Sequence, residues 1–185
     1  CEKCIMWNPS QHGMQPWRVP LGPKVGTHCS MDIMFYCGAA VLVLVDNLST
    51  QVKAAVLQSQ VVTERPLAAF VSAKTGASKV HQAMLTMTPP DIKTAGVAAV
   101  AAGSPPPVKL YHDNEVRLST WLKDRLKLMG YDSVPGIPNV HGNGVAEAAC
   151  KWLRSVLSKS DSTIPLVQRL PMLLQAMGDT PTQRL

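Results

Sequence analysis

Three consecutive strand-like runs, a helical stretch, and then strands alternating with helices predict an α/β layer fold for this 185-residue chain, five strands in all. The first run, about 27–35, reads THCSMDIMF and the second, about 39–46, is an apolar block ending at Asp46. A third lies at about 50–58. All three are rich in β-branched or alternating apolar residues, the signal of extended chain. The stretch RPLAAFVSAKTGASKVHQAML then has a weaker helical pattern. Thr88, Pro89, Pro90 and Asp91 form a helix-start signal, because proline is tolerated in a first turn, and IKTAGVAAVAAG closes on Gly103. SPPP is a rigid connection into the fourth strand, VKLYHD. Ser119 or Thr120 can cap the next helix, where Leu122, Leu126 and Met129 share a face and Gly130 ends it. A short fifth strand near 131–137 leads to the loop PNVHGNG and two further helices.

Composition bounds the function classes. With 46% hydrophobic residues the chain can bury one core, and the longest apolar run, AAVLVLV at 39–45, is too short to span a bilayer. A formal net charge of +6 and a pI near 9.2 suit a polyanionic partner, since basic side chains gain affinity by releasing counterions from phosphates. The five cysteines are an odd number, and all but one precede residue 38, which argues against a disulfide framework and for a reducing compartment. Cys1 and Cys4 have zinc-ligand spacing, but tetrahedral zinc needs four ligands. His12, His28, Cys29 and Cys37 could complete a site, or the pair could be half of a truncated zinc module. Because the chain opens at Cys1, inside that module, it reads as a fragment of a larger protein.

Three acids carry the chemistry. Asp32 lies in the first strand, Asp113 ends the fourth, and Glu147 opens a helix. Carboxylates converging from different elements suit Mg²⁺, which prefers octahedral oxygen coordination, and suit phosphoryl transfer between two ions. On position alone, twelve acidic residues in a soluble chain would often supply such a trio. The helix from Val145 to about Ser158 divides by chemistry: Ala149, Trp152, Leu153 and Val156 form the apolar stripe, whereas Glu147, Lys151 and Arg154 recur at i, i+4 and i+7 on one face. An exposed helix with an ordinary Glu–Lys pair would show the same spacing. Gly142 and Gly144 bracket Asn143 in a loop suited to closing over a substrate, or simply in a glycine-rich connection.

Around these acids the sequence resembles the retroviral integrase catalytic core, most closely the gammaretroviral type. The blocks that carry the resemblance run in order: CEKC, PKVGTHCSMDI, AAVLVLVDNLST, YHDN with STWLKDRLKLMG and PNVHGNGVAEAACKWLRSVL, and LVQRLPMLLQAMGDTP. It implies an RNase H-like fold, a five-stranded mixed sheet flanked by helices. Residues 1–26 would be the end of a zinc-binding module and linker, 27–160 the catalytic core with an insertion near 65–87, and 161–185 its C-terminal helix. Asp32, Asp113 and Glu147 would be the catalytic triad and the ligands of two Mg²⁺ or Mn²⁺ ions, with zinc not expected in this fragment. Lys151, Arg154, Asn114 and Asn143 would contact DNA. The activity implied is that of a polynucleotidyl transferase working in DNA integration, in the nucleus, as part of a homo-oligomer and beside flanking domains of a polyprotein or host protein.

The chain departs from the family's pattern at several points. Glu115 stands where glycine usually follows Asp-Asn, and its charge would repel phosphate. Thirty-three residues separate Asp113 from Glu147, two fewer than is usual. The first hairpin is shorter, the segment between Ser49 and Asp113 longer, and the loop before Gly144 lacks the family's Gln and Ser. These departures suggest a copy derived from an endogenous retrovirus or domesticated by a host, for example in a host protein that joins an integrase domain to a NYN ribonuclease domain. The alternative function is accordingly a catalytically weak or inactive module that binds nucleic acid or a protein partner.

Overall fold

The structure, a computed structural model, describes residues 20–58, 74–113, 118–136 and 143–178. Its five strands are β1 (His28–Tyr36), β2 (Ala39–Asp46), β3 (Val52–Gln58), β4 (Val108–His112) and β5 (Tyr131–Pro135). The helices among the described residues are α1 (Lys74–Met87), α2 (Pro90–Ala101), α3 (Thr120–Leu128), α4 (Gly144–Lys159) and α5 (Leu166–Gly178). One mixed sheet runs in the order β3-β2-β1-β4-β5, with β1, β2 and β3 antiparallel and β4 parallel to both β1 and β5. The expected α/β fold with a five-stranded mixed sheet is what forms.

The β1–β2 hairpin turns through Cys37 and Gly38, both with positive φ (47° and 75°), the backbone that a tight two-residue turn requires. Strand β2 is buried along its whole length, which explains its unbroken apolar sequence. Successive side chains point to opposite faces, so β2 feeds two cores. Ala40, Leu42 and Leu44 join Met31, Ile33, Leu110 and residues of α1 and α3. Val41, Val43 and Val45 join Met34, Ala149, Leu153 and Leu157 of α4, and Leu170 of α5.

Helix α1 is built into the first core through Ala77, Val80, Ala83 and Met84, all buried. It overlaps the segment near 65–87 expected as an insertion; residues 59–73 lie outside the described residues. Helix α3 begins where its sequence indicates: Ser119 accepts from the backbone of Leu122 at 3.3 Å, Leu122 and Leu126 are buried, and Gly130 follows with φ 93°. Gly96 of α2 meets the backbone of Gly130 so closely that an added Cβ would lie 2.2 Å from the Gly130 nitrogen. That contact requires glycine.

Below the strand ends, Asp46 closes the β2–β3 turn. Its carboxylate accepts from the backbone of Leu48, Ser49 and Gly26 and from the Ser49 hydroxyl. Burial alone would raise its pKa, but these donors outweigh burial and hold it below the usual carboxylate range. The expected zinc-module remnant and most of its linker, residues 1–19, lie outside the described residues. Cys29, Cys37 and Cys150 are free thiols. No helix among the described residues is long and apolar enough to cross a membrane.

Candidate functional site

Parity along the strands decides where the acids point. In β1, Met31 and Ile33 enter the core shared with α1 and α3, so Asp32 takes the opposite face with Met34, under α4. In β4, Val108 and Leu110 enter that same first core, so Asp113, one residue past the strand, also falls on the α4 face. The parallel register pairs Met31 with His112, which makes Asp32 and Asp113 the next residues along two adjacent strands. Glu147 lies in the first turn of α4, the helix packed over this face. All three are half-buried.

Electrostatics report the same gathering. The Asp32 carboxyl is raised above its ordinary pKa, chiefly by burial and further by the negative charges of Glu147 and Asp113. Two donors oppose the shift: the backbone of Ile33 donates to Oδ1 at 2.7 Å, and the Cys150 thiol lies 3.5 Å from Oδ2. Burial, then the adjacent Asp32 charge, push the Cys150 thiol up, so it keeps its proton and acts as the donor. Cys150 stands three residues beyond Glu147, on the same side of the helix. Neither its spacing nor its residue type singled it out in the sequence; the contact follows from how α4 lies on β1.

Asn143 fastens the helix in place. Its side-chain amide donates to the Met31 carbonyl at 2.7 Å, and its backbone carbonyl accepts the Glu147 N–H at 3.0 Å. One residue thus ties the start of α4 both to the strand residue beside Asp32 and to Glu147. The side chain is buried, at 3% exposure, and so faces the protein rather than an open surface. Lys151 and Arg154 are exposed on the outer side of α4. The buried stripe of the helix is Ala146, Ala149, Cys150, Leu153 and Leu157, with Trp152 and Val156 only half-buried at its margin. Asn114, Glu115 and the loop at 137–142 lie outside the described residues.

Three carboxylates are a hard oxygen donor set, chemically suited to Mg²⁺ or Mn²⁺, and the like-charge effect on Asp32 is one that a bound cation relieves. Among the described residues, however, no group of three or more His, Cys, Asp or Glu side chains is assembled closely enough to hold a metal ion. The acids share a face without forming a finished cage.

No protein-family profile matches the chain, and no curated protein matches it in sequence. Solved structures do. A chain from the cryoEM structure of simian T-cell lymphotropic virus intasome in complex with PP2A regulatory subunit B56 gamma matches with TM-score 0.63 and 20% identity, over 100% of this chain. This protein spans 60% of the length of that chain. The catalytic core domain of BIV integrase matches with TM-score 0.52 and 16% identity, over 86% of this chain and 88% of that one. Identities this low speak to the fold. The strand order, the position of α4 across β1, and these two likenesses together give one conclusion: the chain has the RNase H-like fold of a retroviral integrase catalytic core.

Proposed function

We propose that this protein is an integrase-like polynucleotidyl transferase domain that binds DNA and transfers phosphoryl groups with Asp32, Asp113 and Glu147. The observation that carries this reading is the register that makes Asp32 and Asp113 the next residues along two adjacent parallel strands, with Glu147 in the first turn of the helix packed on the same face of an integrase-core fold. In this reading the three carboxylates hold two divalent cations, and Lys151 and Arg154 hold the DNA backbone along the outer side of the same helix. When bound, such ions lower the pKa of an attacking water or 3′-hydroxyl and neutralise charge on the leaving oxygen. Cys150 and the Ile33 N–H keep the Asp32 carboxylate in one orientation, and Asn143 keeps Glu147 over the strand that carries Asp32. The work would be done in the nucleus, on DNA.

A second reading has its own support. The acids are not assembled into a metal cage, and a thiol occupies one oxygen of Asp32. Both suit a domesticated module that retains the fold for binding and has lost turnover. A 3′-processing and strand-transfer assay with Mn²⁺ separates the two, comparing wild type with Asp113→Asn. The transferase reading expects product from the wild type and loss of about a hundredfold or more in the variant. Equal product from the two proteins would end it.

A further inference from the structure

Asp113 stands one residue beyond β4, next to the point where the Gly136 N–H donates to the His112 carbonyl at 2.8 Å. The neighbouring His112 supplies two contacts. Its Nδ1 lies 2.9 Å from the Asp113 carbonyl oxygen, and its Nε2 lies 2.9 Å from the Ser133 hydroxyl on β5. A carbonyl oxygen can only accept, so Nδ1 carries the proton. In the neutral ring Nε2 is then the acceptor, and the Ser133 hydroxyl donates to it. The ring is 3% exposed, so water does not compete for either nitrogen.

Strand parity separates this arrangement from the site itself. His112 shares parity with Val108 and Leu110, and Ser133 with Tyr131, so both point to the core beneath α1 and α3. The acids occupy the other face. Resting on the function proposed above, we infer that His112 and Ser133 are positioning residues for Asp113, bracing its backbone from the reverse side of the sheet. The chain of contacts runs from the Ser133 hydroxyl to the imidazole, then to the Asp113 carbonyl. It fixes the tautomer and, through the tautomer, the Asp113 carbonyl.

The test uses Ser133→Ala, which deletes one hydroxyl, with Ser133→Thr as the conservative variant that keeps it. Two quantities are measured: Mn²⁺ affinity by electron paramagnetic resonance, and turnover on DNA ends. Ser133→Ala is expected to weaken Mn²⁺ binding and lower turnover by about tenfold to a hundredfold, as supporting contacts of metal ligands do. Ser133→Thr should restore both, which a general loss of packing would not allow. Long-range ¹⁵N NMR should show His112 protonated at Nδ1 in the wild type. A wild type that binds Mn²⁺ and turns over, with Ser133→Ala indistinguishable from it, overturns this inference alone. A wild type that neither binds Mn²⁺ nor processes DNA overturns the transferase reading and the brace with it.

Discussion

The Asp32 carboxyl is the residue on which the site turns, and its environment makes a thermodynamic prediction. A raised pKa in the folded state means that folding binds the proton more tightly than the unfolded chain does. Ionising Asp32 therefore costs stability, a penalty absent below about pH 3.9 and fully present above the folded pKa. Asp32→Asn should consequently melt higher than wild type at neutral pH, with the gap closing as pH falls into the carboxylate range. Thermal unfolding between acid and neutral pH checks this, and an equal or lower melting temperature at pH 7 would contradict it. Asp46 has the opposite sign. Its depressed pKa stabilises the fold above the unfolded value, and that contribution is lost as pH falls through the folded one. Asp46→Ala should lower the melting temperature at neutral pH and matter progressively less in acid. The sequence marked Asp32, Asp113 and Glu147 because acid residues at element ends are visible one at a time. Cys150, His112 and Ser133 were hidden, since each acts through a partner that only the strand register or the seating of α4 brings near.

At the scale of elements, what could be read from the chain was governed by periodicity. The strands are legible from their apolar and β-branched content, β2 as an unbroken apolar run, and Ser119 and Gly130 mark the ends around α3 as their side-chain and backbone preferences dictate. Helix α4 was legible as amphipathic, but its stripe lies toward Cys150 and Leu157 rather than Trp152 and Val156, because the angle at which a helix meets a sheet is a tertiary property. Helix α1, weak in pattern and glycine-containing, draws its stability from packing Val80 and Met84 into the core. The close approach of α2 to the α3–β5 turn makes a sharp prediction. Gly96→Ala should cost about 1–3 kcal/mol, measured by urea unfolding, because the added methyl meets the Gly130 backbone, which cannot yield as a flexible side chain could. For the outer side of α4, Lys151→Ala should weaken DNA binding evenly across sequences and reduce the slope of log affinity against log salt by about one. An unchanged slope would remove Lys151 from the proposed interface.

For the whole molecule, the sheet order explains why residues so distant in sequence share one face. Parallel pairing of β4 beside β1 sets Asp113 next to Asp32, and α4 packs on β1 and β2 on that same face of the sheet. The fold thus accounts for the three acids sharing one face of the sheet, though among the described residues they do not form a group that could hold a metal ion. That distinction separates an active transferase from a retained scaffold. The most direct measurement is the anomalous scattering of manganese in crystals of this protein soaked with Mn²⁺. The account predicts density within coordination distance of Asp32, Asp113 and Glu147 together. Manganese bound only elsewhere, with Glu147 turned away from both aspartates, would contradict it.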